Sequence, residues 1–206
     1  MLIKAGADVS ARDKEGYTAL MLASQYGHPE VAKLLIEEGS DINAQDKVGY
    51  TALMYAMQYG YPEIIQLLIE KGADVNAQEK RGYTALMLAS QHGHAEVAKL
   101  LIVEGADVNA QDNEGVTALM FASLWGHTHI VTLLIEGGAD VNAQANNGGT
   151  ALMIAAYRGD LVMAELLIEG GADVNAQANN GDTAFMIASD GGHTEIVESL
   201  REAGAY

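Results

Sequence analysis

Apolar and polar positions follow one another along this chain in blocks that restart at a fixed interval. In the first complete block, residues 19–26 form a mostly apolar run that stops at Gly27, and a second run opens at His28-Pro29-Glu30 and stops at Gly39. Thr18 is placed to cap the first run, and Gly27 stands where a helix-closing glycine belongs. Pro29 suits the first helical position, which needs no amide donor, and Glu30 suits the positive end of the helix dipole. Pro62 takes the same place one block later. Residues 41–49 are too polar and turn-rich for helix and read as a loop ending in a tight Asp-x-x-Gly turn. Each block therefore predicts two short helices and a loop.

The interval is 33 residues throughout. Gly-x-Thr recurs at Gly16, Gly49, Gly82, Gly115, Gly148 and Gly181 with no insertion, and two further glycine rows keep the same register. Helices this short are marginal in isolation, so they must bury their apolar faces against copies of themselves. Leu20, Leu53, Leu86, Leu119, Leu152 and Phe185 form the apolar row of the first helices, with Ala23, Ala56, Ala89, Ala122, Ala155 and Ala188 where helices approach closely. The second helices repeat Leu-Leu-Ile, as in Leu34-Leu35-Ile36 and Leu100-Leu101-Ile102. The pattern predicts one continuous core in which each unit packs on its neighbours.

These motifs resemble the ankyrin-repeat family. The resemblance rests on Asp-x-x-Gly-x-Thr-Ala-Leu-Met-x-Ala, on pairs such as Gly27-His28 and Gly93-His94, and on Gly-Ala-Asp-Val-Asn-Ala after the second helix, and it covers essentially the whole chain. It implies an all-α solenoid of stacked helix-turn-helix units joined by β-turn or hairpin loops. The expected division of the single domain is a partial unit at 1–12, full units at 13–45, 46–78, 79–111, 112–144 and 145–177, and a C-terminal capping unit at 178–206. Two departures are systematic: the family's usual Thr-Pro-Leu-His reads Thr-Ala-Leu-Met here, as at Thr18-Ala19-Leu20-Met21. Methionine lacks the imidazole bonds of the family's histidine, so looser turns are expected.

The ends differ. Ser199 and Arg201 replace the outer Leu and Ile of the second-helix triplet, as a polar cap would. Met1-Leu2-Ile3-Lys4 match only the tail of a second helix, which predicts an uncovered apolar edge: a truncated start, a missing upstream segment, or self-association.

Composition narrows the function. With 11 basic and 28 acidic residues the formal charge is −17, which opposes nucleic acid and anionic membrane surfaces as partners. Much of that charge belongs to the repeat, as in the loop row Asp8, Asp41, Asp74, Asp107, Asp140 and Asp173. Zero cysteines exclude disulfides and thiolate chemistry and fit a reducing compartment. The start has no secretory apolar region, and no apolar run approaches the roughly 20 residues of a membrane span, so a soluble, cytoplasmic chain is expected. No catalytic motif outranks the repeat. His92-Gly93-His94 and His127-Thr128-His129 invite a metal, but His94 and His127 belong to the Gly-His row and further ligands are lacking. No enzyme activity, cofactor or metal is expected.

Positions that vary while the frame stays constant carry the partner information. One row reads Tyr17, Tyr50, Tyr83, Val116, Gly149, Asp182; another Tyr26, Tyr59, His92, Trp125, Arg158, Gly191; a third Gln25, Gln58, Gln91, Leu124, Tyr157, Asp190. The resemblance implies that turn tips and the exposed ends of first helices line a concave face that grips protein partners. Seven of the 12 aromatic residues would then lie there, and Tyr and Trp are frequent binding anchors. Lys47, Lys80 and Arg81 make the early turn tips basic, whereas residues 100–206 hold 2 basic and 15 acidic groups. The candidate contact residues are thus Tyr17, Tyr26, Lys47, Tyr50, Tyr59, Lys80, Arg81, Tyr83, His92, Leu124, Trp125, Tyr157 and Arg158. The tyrosines could equally stack on one another for stability. Two alternatives stay open for the chain: an engineered binder or scaffold, against which frame residues Met57, Tyr61, His129, Asp160 and Met163 wander, and a targeting fragment of a larger effector or enzyme.

Overall fold

A computed structural model describes residues 8–205. Twelve helices occupy them, paired as the sequence predicts: α1 (Ala19–Gln25) with α2 (Pro29–Glu37), α3 (Ala52–Tyr59) with α4 (Pro62–Glu70), α5 (Ala85–His92) with α6 (Ala95–Val103), α7 (Ala118–Trp125) with α8 (Thr128–Glu136), α9 (Ala151–Arg158) with α10 (Leu161–Glu169), and α11 (Ala184–Asp190) with α12 (Thr194–Glu202). The expectations for Met1-Leu2-Ile3-Lys4 lie outside the described residues.

Each first helix starts because a threonine hydroxyl accepts from the amide three residues on, at 3.2 Å from Met21 in α1 and 3.3 Å from Met54 in α3. The methionine answers in α1, where its sulfur accepts from the Thr18 amide at 3.4 Å, a capping box closed by a thioether. Pro29 and Pro62 open α2 and α4 as expected. The ends differ slightly from the sequence pattern. Helix α1 stops at Gln25 and leaves Tyr26 as its cap, while α2 stops at Glu37, where the Glu38 amide turns back to Leu34. In both cases the last residue before the glycine is already leaving helical geometry to let the chain turn.

First helices pack side by side in one layer, and each lies on the second helix of its own unit. The alanine row permits the close approach: Ala56, Ala89, Ala122, Ala155 and Ala188 are completely buried. Within the Leu-Leu-Ile triplets only the middle leucine reaches full burial in every unit from Leu68 to Leu200, with Leu35 nearly so. At the far end Arg201 is exposed and its guanidinium lies 5.2 Å from the centre of the Phe185 ring.

Polar ladders join the loops. The amide of Lys47 donates to the carbonyl of Glu15, and Lys80 to Val48, Asn113 to Arg81, Asn146 to Glu114 and Asn179 to Asn147 repeat the bond along the turn tips. Gln45, Gln78, Gln111 and Gln144 each donate to the carbonyl of the glutamine one unit on, and Arg12 takes the same place on Gln45. Within each early turn an acid holds the backbone: Asp13 Oδ1 accepts from the amides of Glu15 and Tyr17, and Asp46 Oδ1 from those of Val48 and Tyr50. A third ladder uses asparagine. Asn109 donates to Gly138 O at 3.2 Å and accepts from the Asp140 amide at 2.7 Å. Asn109→Ala removes both bonds from an exposed site, and about 1 kcal/mol of stability should be lost. Urea unfolding would show this as a lower midpoint with an unchanged slope.

Candidate functional site

The turn tips and the first helices border one surface. Their meeting is direct in the second half of the chain, where Gly149 and Asp182 from turns and Leu124, Ile154 and Tyr157 from first helices line a common cleft of about 550 Å³.

The candidate side chains are of three kinds. Tyr26, Tyr59, Trp125 and Tyr157 are 63%, 48%, 53% and 76% exposed, and Leu124 stands out beside Trp125 at 40%. These large apolar groups face water at the ends of α1, α3, α7 and α9. Tyr17, Tyr50 and Tyr83 are instead half-buried. Their rings lean onto first helices: Tyr17 and Tyr50 meet Tyr55 at centroid distances of 5.4 and 5.2 Å, and Tyr83 meets Phe121 edge-on at 5.3 Å. The cationic and imidazole candidates are exposed. Lys47 lies 3.9 Å from Glu15, a pair open to solvent and so worth little. Arg81 covers the Tyr83 ring at 4.8 Å and donates to its hydroxyl at 3.1 Å. Lys80 and Arg158 project without an ion pair among those found for the described residues. His92 stacks on His94 at 5.9 Å, and partial desolvation of this exposed ring, then the charges of His94 and His127, push its pKa below the usual imidazole value. Among the described residues no group of three or more His, Asp or Glu side chains is arranged to hold a metal ion.

Tyr55 and Phe121 are the residues that the variable rows passed over. They belong to a fourth variable row, Leu22, Tyr55, Leu88, Phe121, Ile154, Ile187, four residues after the capping threonine. Tyr55 and Phe121 are 5% and 8% exposed and form the floor on which the turn tyrosines rest. Their variation was the available signal. The Tyr55 hydroxyl donates to Asp46 Oδ2 at 2.6 Å and stands 2.9 Å from the Tyr17 hydroxyl. With its proton committed to the carboxylate, Tyr55 accepts from Tyr17, so one network links two turns to α3.

The family is decided by a comparison with protein-family models: the one described as ankyrin repeats (3 copies) matches residues 1–79, 73–145 and 137–206. The chain is an ankyrin-repeat protein. Ankyrin repeats generally serve as protein–protein interaction modules. No curated protein matches this ankyrin chain, and among its described residues no helix is long and apolar enough to cross a membrane.

The tyrosine network should make the stability of the ankyrin array fall at alkaline pH. Burial first, and then the bonds to Asp46 and Tyr17, raise the Tyr55 pKa far above its ordinary 10.0. Burial likewise raises Tyr50 and Tyr83. A phenol whose folded pKa is raised contributes stability that is complete below the unfolded value and is lost as pH climbs beyond it, because the unfolded chain releases the proton first. Tyr55→Phe leaves Asp46 Oδ2 without its donor and should cost about 2 kcal/mol at neutral pH. Thermal melts at neutral pH and above pH 10.0 check both effects, since the variant loses part of the alkaline decline.

Proposed function

We propose that this chain is a non-enzymatic module that binds a protein partner through the surface made by turn tips and first helices. The observation that supports this most is that the exposed aromatic side chains among the described residues, Tyr26, Tyr59, Trp125 and Tyr157, all stand at the ends of first helices, with Leu124 exposed beside them, whereas the other exposed large apolar groups, such as Val103 and Val162, are aliphatic. Burial of such side chains against a partner supplies affinity, and their few rotatable bonds keep the ordering cost low. Tyr17, Tyr50 and Tyr83 contribute their outer edges, held in place by Tyr55 and Phe121. Lys47, Lys80, Arg81, His92 and Arg158 supply the polar margin of the same contact.

Trp125→Ala and Tyr59→Ala are expected to cost about 2 kcal/mol of binding each where they lie near the centre of the interface, with thermal stability close to wild type. Tyr50→Ala and Tyr83→Ala test the same surface less cleanly, because truncation also removes ring packing. Capture from the native lysate, comparing wild type with Trp125→Ala/Tyr59→Ala and with Lys33→Ala/Lys99→Ala on the second-helix layer, is the decisive experiment. Loss of partner with the aromatic pair alone supports the assignment; loss with the lysine pair alone would sink it.

A further inference from the structure

The turn row changes character along the array, and a cleft opens where it does. In the first units Tyr17, Tyr50 and Tyr83 roof the first-helix floor. In the last two the corresponding residues are Gly149 and Asp182, no ring covers Ile154 and Ile187, and about 550 Å³ stands open between them. That volume lies within the range of about 300–1,000 Å³ typical of ligand sites. The floor and walls are apolar: Leu124, Met153, Ile154, Tyr157 and Ile187.

One carboxylate, Asp182, lines the cleft among neutral amides. The Asp182 carboxylate accepts from the Asn180 side-chain amide at 2.6 Å, a neutral donor that leaves its charge uncompensated. No lysine or arginine lines the cleft. The surrounding half, residues 100–206, holds 15 acidic and 2 basic groups, so the field there favours cations. We propose, resting on the interaction-module assignment above, that this cleft takes an extended peptide segment of the partner in which an apolar side chain is flanked by arginine or lysine. The apolar chain fills the space that tyrosine fills in the first units, and the flanking cation meets Asp182. A peptide fits better than a compact ligand because the exposed row continues past the cleft through Leu124 to Trp125 and gives a running chain further contacts.

The test uses the full chain and fluorescein-labelled synthetic peptides with a central Leu, Phe or Trp flanked by Arg, by Ser or by Glu, read by fluorescence polarisation. Arg-flanked peptides should bind about tenfold more tightly than Glu-flanked ones and lose affinity as salt rises. Gly149→Tyr restores the roof and should weaken binding by about tenfold or more. Its backbone has no positive φ, and the frame already carries tyrosine at this position in three units, so the variant should fold. Tyr157→Ala, at a side chain 76% exposed, removes a wall without touching the core and should weaken binding similarly. Asp182→Asn should abolish the preference for arginine while the apolar anchor is still required.

Several results overturn the proposal: no peptide binding, affinity indifferent to both Gly149→Tyr and Tyr157→Ala, preference for Glu-flanked peptides, or argininamide alone competing as well as the peptides. These outcomes are separable from failure of the interaction assignment. Protein capture that depends on Trp125 and Tyr59, combined with peptides that ignore the cleft, leaves that assignment standing and removes only this one.

Discussion

Leu101→Ala should lower the stability of the array by about 3–4 kcal/mol, the cost of a large-to-small change at a site that cannot collapse. Leu101 is fully buried in α6, in the middle of the array, and helices on every side are fixed by the units that follow and precede it. The cavity left by the isobutyl group would be walled by α5, α6 and α8, each held by packing against its neighbours in the array, so relaxation is limited. In urea the midpoint should fall by about 1 M. Val103→Ala in the same helix is the control. Val103 is 74% exposed, and its truncation should change stability by no more than about 0.5 kcal/mol. Equal losses at the two positions would show that helix propensity, and not packing between units, holds α6.

Gly82→Ala should cost about 3 kcal/mol through a different mechanism, strain in the backbone combined with a clash that has no flexible partner. Gly82 sits at φ +85°, and an added Cβ would come within 2.8 Å of Asp112 Cα and 2.9 Å of the Asn113 amide nitrogen in the next turn. Both are backbone atoms, held by the bond from the Asn113 amide to Arg81 O. The turn must therefore separate from its neighbour. Gly105 has a similar φ of +86° with open space around it, so Gly105→Ala isolates the conformational cost, about 1 kcal/mol. The difference between the two variants, read from paired denaturation curves, measures how tightly adjacent turn tips are stacked. Identical losses would mean that the turns separate freely.

These two positions mark what periodicity can and cannot reveal. The helix pairs, their threonine and proline starts and their glycine stops were legible because each depends on a few neighbouring residues and recurs in every unit. Leu101 was legible as part of an apolar triplet, but that it is buried completely while Leu100 and Ile102 are only half-covered depends on how α6 is rotated against α5 and α8. The exposed candidates Tyr26, Tyr59, Leu124, Trp125 and Tyr157 were found by comparing units with one another. The same comparison grouped Tyr17, Tyr50 and Tyr83 with them, although those rings rest on Tyr55 and Phe121 and serve the fold as well as the surface.

By itself the sequence determined the repeat, the two-helix unit, the continuous core and the rows that vary, because all of these follow from local hydrogen bonding and the burial of periodic apolar faces. The tertiary structure alone decided the rest. It set the offset that brings Tyr17 onto Tyr55, 38 residues away, linked the polar loops into ladders, and opened a cleft where Gly149 and Asp182 leave the floor uncovered. The physical reason is that contacts between units depend on the rotation and spacing of one layer on the next, a relation that no single 33-residue block contains.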